Sequence, residues 1–204
     1  YKHHRRVKIF NKKGLDLATV EIPLYVSTKS DDAEKIESLK AYTYNLEDGK
    51  VVETKIEKDA VFQDKLDKNH FVKKFTLPAV KDGSIIEYMY EIKSDFLFNL
   101  QPWNFQGKYP RIWSEYRLNK PQFFDYVFLS QGFSQFHIHD VKEKFTNYMV
   151  RERSESAFGR DDLYSISSNN AISRWVLTDV KPLREEKFTS TLSNYISRIE
   201  FQLS

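Results

Sequence analysis

Apolar and polar residues alternate with a period of two through most of this sequence. From Tyr195 to Leu203 every second residue forms the series Tyr, Ser, Ile, Phe, Leu, whereas the residues between them are mostly polar. The segment Ser84–Lys93 repeats this pattern. Successive side chains of a β-strand point to opposite faces of a sheet. The alternation therefore predicts strands that bury one face and expose the other, as antiparallel sheets commonly do.

About twelve segments show this alternation or are rich in aromatic and β-branched residues, which pack well on a pleated surface. They are Lys2–Phe10, Leu17–Tyr25, Ser38–Leu46, Val51–Glu57, His70–Thr76, Ser84–Lys93, Arg111–Asn119, Phe123–Leu129, Phe133–His139, Lys144–Arg153, Ile172–Thr178 and Tyr195–Leu203. Such short spacing is typical of sandwiches or barrels. We predict an all-β fold, an antiparallel two-layer β-sandwich of about twelve strands with little helix, formed by residues 1–204 as a single domain.

Three short turn sequences predict hairpins between neighbouring strands. They are NKKG at residues 11–14, EDGK at residues 47–50 and KDG at residues 81–83. Asp-Gly is favoured because tight hairpin turns need residues with positive φ.

Four other segments break the strand pattern. Asp31–Ser38, with Ser30 as a cap, and Asp59–Leu66 are predicted to form short helices. The Ser- and Asn-rich segment Ser154–Asn170 is predicted to be a long loop, and Lys181–Thr191 a crossing connection to the last strand.

Cysteine content and charge exclude several classes of function. The sequence has no cysteine, so it holds no disulfide, no thiolate metal site and no cysteine nucleophile. Its net charge of +3 comes from 32 basic and 29 acidic residues that are interspersed. We therefore expect no nucleic-acid partner, since such proteins cluster their basic residues. No run of 18 apolar residues predicts a membrane span.

Two groups of residues have types that occur in catalytic or metal sites. His137 and His139 have a spacing used for metals, but a zinc site needs three or four converging ligands. Glu87 and Glu91 lie about 13 Å apart along one strand, too far for the carboxylate pair of a retaining glycosidase. We interpret these glutamates and Glu115 as outward strand charges, and predict no catalytic residue, no metal and no cofactor.

Aromatic residues concentrate near position 100 among amide side chains. Three interpretations remain open: the rings cap the end of the sandwich, dock another domain, or form a platform for sugars. The candidate ligand or docking surface consists of Phe98, Gln101, Trp103, Phe105 and Trp113.

Three stretches of the chain carry a family resemblance. They are LPAVKDGSIIEYMYEIKSDFLFNLQPWNFQ at residues 77–106, YPRIWSEYRLNKPQFFDY at 109–126 and KPLREEKFTSTLSNYISRIEFQL at 181–203. Together they resemble the domain of unknown function 3857 family, β-sandwich domains found N-terminal to transglutaminase-like (papain-like) cores in exported bacterial proteins. The Cys-His-Asp triad of those proteins lies in the downstream core, so the resemblance assigns no triad residue here.

The resemblance implies a non-catalytic accessory domain. Such a domain would pack on a C-terminal transglutaminase- or protease-like domain, or position substrate for it. That domain is the expected partner, with an envelope protein or a glycan as a further one. The expected location is the periplasm or the cell envelope, or the protein is secreted. Because Ser204 follows an apolar strand directly, we expect the chain to be part of a longer protein. The alternative is a carbohydrate-binding module using the aromatics around Trp103 and Trp113.

Overall fold

A computed structural model describes residues 1–30, 32–98, 100–132, 135–152, 162–184, 191 and 195–204. The predicted all-β class is confirmed: thirteen strands pair antiparallel within the described part, and helix is limited there to two short 3-10 segments. The chain divides into two compact units, Tyr1–Leu97 (unit 1) and Phe98–Ser204 (unit 2). A single domain over residues 1–204 stays a prediction, and each unit is described by itself.

Unit 1 contains seven strands in two antiparallel sheets. The sheets have the strand orders β1-β7-β3-β4 and β2-β6-β5. The 3-10 segments Lys12–Ala18 and Lys58–Ala60 precede β2 and β5. The strands are β1 Lys2–Lys8, β2 Thr19–Tyr25, β3 Lys35–Glu47, β4 Lys50–Lys55, β5 Phe62–Lys65, β6 His70–Thr76 and β7 Ile85–Lys93.

The core of unit 1 lies between these two sheets. In β2, buried residues alternate strictly with exposed ones, and Ile22 is completely buried. Phe75 of β6 and Ile86 of β7 are 1% and 0% exposed and belong to the same apolar cluster. Because the cluster draws on strands of both sheets, unit 1 is a two-layer sandwich.

Unit 2 contains six strands in two antiparallel sheets. Their orders are β11-β12-β9 and β10-β13-β8. The strands are β8 Trp103–Asn104, β9 Arg111–Lys120, β10 Tyr126–Gln131, β11 Ile138–Glu152, β12 Asp162–Val180 and β13 Arg198–Leu203.

An aromatic cluster fills the space between the two sheets of unit 2. Phe105 and Ile199 are fully buried, and Trp175 of β12 is 4% exposed. The ring of Tyr116 stacks on Phe201 with centroids 5.5 Å apart. Four of these five residues lie on strands β9, β12 and β13. The inward-facing residues of alternating strands therefore form this core as well.

One of the three predicted hairpins forms. Strands β3 and β4 pair around Asp48 and Gly49, whose φ values are +48° and +75°. The other two predictions are wrong. β1 pairs with β7 and β2 with β6, while residues 12–18 form a 3-10 segment capped by Asn11. Residues 81–83 connect β6 and β7, which lie in different sheets. A turn sequence reverses the chain, but the apolar faces of both strands favour packing in different sheets on opposite sides of the core.

The predicted helix Asp31–Ser38 is wrong where the structure describes it, and the predicted helix Asp59–Leu66 is correct only for Asp59 and Ala60. Residues 35–38 begin β3, and Asp31 lies outside the described residues. Within Asp59–Leu66, the 3-10 segment Lys58–Ala60 is followed by strand β5. Short polar segments carry too little periodicity to separate a helical turn from an exposed strand.

The predicted loop Ser154–Asn170 is also wrong over residues 162–170, which belong to β12; residues 154–161 lie outside the described part. Its serines and asparagines form bonds inside the structure: Ser168 Oγ accepts from Gln122 N at 2.9 Å, and Asn170 donates to Asn119 Oδ1 at 2.8 Å. Of the predicted connection Lys181–Thr191, residues 181–184 are neither helix nor strand and 185–190 are not described. Within the ranges given above, no helix is long and apolar enough to cross a bilayer.

Gly132 allows a close approach that a larger residue would prevent. Its φ is +100°, and a Cβ there would lie 2.7 Å from the backbone Cα of Ser197. We expect Gly132→Ala to lower the free energy of unfolding by about 2–4 kcal/mol, through backbone strain and a steric clash. Gly83 is the matched control, because its φ is +90° but a Cβ would meet nothing within 4 Å. Gly83→Ala should cost about 1–2 kcal/mol. Equal losses in urea unfolding followed by circular dichroism would refute the role of the contact.

Candidate functional site

The structure separates the five residues of the candidate surface. Phe105 is 0% exposed and packs against Phe136, so it belongs to the core and is removed from that surface. Trp103 is half-buried on β8, and its indole Nε1 donates to Ser114 Oγ at 3.1 Å. Gln101 uses its backbone carbonyl to accept from the Tyr116 hydroxyl at 3.1 Å. These three residues support the core of unit 2.

Phe98 and Trp113 remain exposed. Phe98 is 60% exposed and Trp113 is 50% exposed. Trp113 lies on β9, one position from Ile112, which is 84% exposed. The five residues therefore do not form one continuous aromatic surface: two are exposed, and three are buried or bonded within the unit.

Glu115 organises the face of the sheet around Trp113. The indole Nε1 of Trp113 donates to Glu115 Oε2 at 2.8 Å, and Arg174 Nε on the neighbouring strand donates to Oε1 at 2.9 Å. Arg117 Nε also donates to Oε1. The Arg174 guanidinium lies 5.8 Å from the centroid of the Trp113 ring, within the range of a cation–π contact. Trp113 is thereby held in one orientation by a charged cluster.

This cluster fixes the charge of Glu115. Partial burial acts to raise the pKa of Glu115, but hydrogen bonds from Arg174, Arg117 and Trp113 outweigh it and lower the pKa to about 2. A general acid needs a pKa near the working pH. Glu115 is therefore an ionised anchor for the arginines at neutral pH and is unsuited to donate a proton.

The other two glutamates from the sequence lie in unit 1 and are also paired. Glu87 accepts from His4 Nε2 at 2.7 Å and from Arg6 Nη2 at 3.0 Å. Burial acts to raise the pKa of Glu87, but these partners outweigh it and lower the pKa. Glu91 lies 3.3 Å from Lys2 Nζ. All three carboxylates bind cations on adjacent strands.

The two histidines at 137 and 139 make separate contacts. His139 stacks on Trp175 with centroids 5.6 Å apart, and the backbone N–H of His137 donates to Val176 O at 2.9 Å. Among the residues that the structure describes, no group of three or more His, Asp or Glu side chains could hold a metal ion.

A depression in unit 2 has a volume of about 320 Å³, at the lower limit for a ligand pocket. It brings together amide, hydroxyl and backbone groups with one acidic and one basic side chain. The lining residues are Gln106, Gln135, Leu177, Thr178, Asp179, Val180 and Lys181. This arrangement offers hydrogen-bond donors and acceptors to a ligand.

Sequence reasoning missed an exposed apolar surface on the long hairpin of unit 2. Val141, Phe145 and Met149 of β11 are 59%, 65% and 72% exposed, and Leu163 of β12 is 61% exposed. The signal was present in the sequence, because residues four apart on a strand lie on the same face. The pattern is not evident there, because the predicted strands Phe133–His139 and Lys144–Arg153 divide β11 and the predicted loop includes residues 162–170.

The chain is an antiparallel all-β protein in which Glu87, Glu91 and Glu115 each bind a basic side chain on a neighbouring strand. A family model described as Domain of Unknown Function with solved-structure structure (DUF3857) matches residues 1–154. The chain belongs to this family, which confirms the resemblance found in the sequence.

One solved structure extends the comparison to the whole chain. It is a crystal structure of a "putative protease" from Parabacteroides distasonis, with a TM-score of 0.64 and 13% identity over 100% of this chain. The identity is low, so the match shows the fold alone. This chain spans 36% of the length of that protein. No curated protein matches the chain.

The division of the aromatic residues into core and surface predicts different costs of truncation. We expect Phe105→Ala to lower the free energy of unfolding of unit 2 by about 3–5 kcal/mol, since it leaves a cavity. Trp113→Ala should cost about 1 kcal/mol or less, because it removes an exposed ring. Urea unfolding followed by circular dichroism measures both. Similar costs for the two variants would refute the division.

The charged cluster predicts a pH-dependent contribution to stability. Because the pKa of Glu115 is about 2 in the folded state, below the ordinary value of 4.5, its contribution is present above about pH 4.5 and is lost as the pH falls towards 2. At pH 7, Glu115→Gln should lower the free energy of unfolding by about 1–3 kcal/mol. The difference from the wild type should shrink between pH 4.5 and pH 2.

Glu37→Gln is the control, since Glu37 is an exposed glutamate on β3 of unit 1. Its substitution should change the unfolding free energy by about 0.5 kcal/mol or less. A Glu115→Gln effect that is constant from pH 7 to pH 2 would contradict the assignment of ionised Glu115 as the anchor.

Proposed function

We propose that this chain is an accessory interaction domain that packs on a transglutaminase- or protease-like domain of the same protein, or positions substrate for it. One observation carries the proposal: the whole chain shares its fold with about a third of a protein described as a putative protease. The remaining two thirds of such a protein would contain the catalytic groups. The proposal assigns the present chain no step of the chemistry.

The chemistry of the chain supports this division of roles. A papain-like mechanism needs a cysteine thiolate, and this sequence contains no cysteine. The carboxylates Glu87 and Glu115 are engaged by cations in arrangements that lower their pKa values. The nucleophile would therefore come from the other domain.

The docking surface that we propose is centred on Trp113. An exposed tryptophan and an arginine are the residue types that contribute most to binding at protein interfaces. Trp113 is held by Arg174 and Glu115, so little side-chain freedom remains to be lost on binding. This surface retains Trp113 from the set predicted by the sequence and leaves out Phe105.

We also propose, from the family resemblance, that the protein works outside the cytoplasm, where an envelope protein could be its substrate or partner. Carbohydrate binding is the less favoured alternative. A sugar platform would need exposed rings side by side, and Trp103 is half-buried with its indole bonded to Ser114. No row of exposed rings joins it to Trp113 in the described residues.

Trp113→Ala tests the docking proposal. The chain and the protease-like domain of the same protein are mixed, and their affinity is measured by isothermal titration calorimetry. We expect wild-type chain to bind and Trp113→Ala to raise the dissociation constant about thirtyfold or more, as the loss of a hot-spot side chain does.

Phe10→Ala is the control, because Phe10 is an aromatic residue of unit 1 that is 81% exposed. It should bind like the wild type. Absence of binding by the wild-type chain, or equal affinities for wild type and Trp113→Ala, would contradict the proposed surface. Binding to a glycan array that Trp113→Ala abolishes would instead favour the carbohydrate alternative.

A further inference from the structure

Strand β11 forms an open edge of unit 2. It has 15 residues, and its pairing with β12 runs without a register shift from Ile138 to Glu152. No other strand in the described part of the chain pairs with its opposite side. Edge strands are usually protected by a proline, a bulge, a short length or charged side chains, lysine above all. β11 has none of the first three features. It does carry Lys142 and Lys144, so a second strand has to pair in a register that gives these lysines neutral partners.

The distal half of β11 also lacks support from β9. β9 pairs with β12 only between Ala171 and Val180, so Phe145–Glu152 and Asp162–Asn169 form a two-stranded ribbon. An isolated two-stranded hairpin is marginally stable in water. This ribbon is held on one face, where Gln122 N donates to Ser168 Oγ and Phe123 packs on Tyr148, whereas its other face carries exposed Phe145 and Leu163. The exposure of these apolar side chains to water is unfavourable. The ribbon therefore favours an additional strand beside it.

The spacing of the exposed apolar residues on β11 indicates which strand could pair with its open side. Val141 and Met149 lie four residues before and after Phe145, on the same face of β11. In an antiparallel pair of two β11 strands centred on Phe145, each Phe145 would lie opposite its copy and Val141 opposite Met149 of the second copy. We propose that a second copy of this chain pairs in this register.

The charged residues fit the same register. Like charges directly opposite each other destabilise a sheet, whereas neutral partners are tolerated. The charged residues near the centre of β11 would each face a neutral residue of the second copy. These pairs are Lys142 with Tyr148, Glu143 with Asn147 and Lys144 with Thr146.

Neighbouring registers are less favourable. Centring the pair on Glu143 places this residue opposite its own copy and Lys142 opposite Lys144. Centring it on Lys144 places that lysine opposite its own copy. Centring it on Thr146 places Val141 opposite Arg151 and breaks the apolar row. The register centred on Phe145 avoids these contacts and pairs the strand over its whole length, Ile138–Glu152. A register centred on Asn147 also avoids like charges, since it places Glu143 opposite Arg151 and Lys142 opposite Glu152, but it pairs only Lys142–Glu152 of the strand.

A twofold pairing of this kind closes on itself. Each copy uses the same edge, so the interface is isologous and adds no further open β11 edge for a third copy. The combined sheet would have six strands in the order β9-β12-β11-β11-β12-β9. The Trp113 surface lies on β9, at the other edge of the three-stranded sheet. The dimer is therefore independent of the docking surface proposed above.

Sedimentation equilibrium of the 204-residue chain tests the dimer. We expect the wild type to show a concentration-dependent mass that reaches twice that of the chain. Phe145→Lys places a lysine opposite its copy and removes the central apolar contact, so the dissociation constant should rise about thirtyfold or more. Phe62→Lys is the matched control and should behave like wild type, because Phe62 lies on edge strand β5 of unit 1 and is 65% exposed, as Phe145 is.

Cross-linking tests the register. The chain has no cysteine, so any disulfide of a single-cysteine variant joins two copies. Oxidised Phe145→Cys should form a covalent dimer, since directly opposite residues come within disulfide distance. A mixture of Val141→Cys and Met149→Cys should cross-link, whereas Val141→Cys alone should not, because its copies would be about 27 Å apart along the strands.

Three results would overturn the dimer. The first is a wild-type chain that stays monomeric at every concentration. This includes the case in which the monomer uses the ribbon to bind the protease-like domain. The second is a dimer that Phe145→Lys leaves unchanged. The third is cross-linking of Val141→Cys alone in place of Phe145→Cys. A failure of the Trp113 experiment would leave these outcomes unaffected, because the two surfaces lie on different strands.

Discussion

Each strand in this protein has two faces, and the burial of one of them determines most of the structure. Ile22 of β2 and Phe75 of β6 are buried in unit 1, and Trp175 and Phe201 are buried in unit 2. Each unit gains its stability by closing two sheets over such residues, since apolar area removed from water is the main favourable contribution to folding. The connections follow from this constraint. β1 and β2 are neighbours in sequence but lie in different sheets, because their apolar faces are both needed on either side of one core.

The outer faces cannot be stabilised in this way, and in each unit a carboxylate joins adjacent strands instead. Glu87 binds His4 and Arg6 of β1, and Glu115 binds Arg174 of β12. A partly buried carboxylate is stable only when cations or N–H donors compensate its lost hydration. The same bonds that satisfy this requirement keep the carboxylates ionised. Because Glu87 and Glu115 stay ionised, they are poorly suited to donate a proton at neutral pH.

The sequence allowed the fold class to be predicted because alternation is a local signal, repeated in nearly every strand. Strand partners depend on contacts between distant segments, so the hairpin at Asp48-Gly49 was predicted correctly but β1–β7 pairing was not. The candidate surface shows a similar limit. Phe105 and Trp113 are both aromatic residues near amides, and composition could not separate them. Position relative to the core does: Phe105 packs between the sheets, whereas Trp113 lies on the outer face of β9.

The sheet β11-β12-β9 carries several of the large apolar residues that unit 2 leaves exposed. Its β9 edge carries Trp113, oriented by charged neighbours on its own and the next strand. Its β11 edge carries an apolar row and pairs on that side with no other described strand. These edges suit different kinds of contact. An oriented tryptophan fits a pocket on another surface, whereas an open backbone fits only an extended strand. The two proposals above therefore assign two different partners to two edges of one sheet.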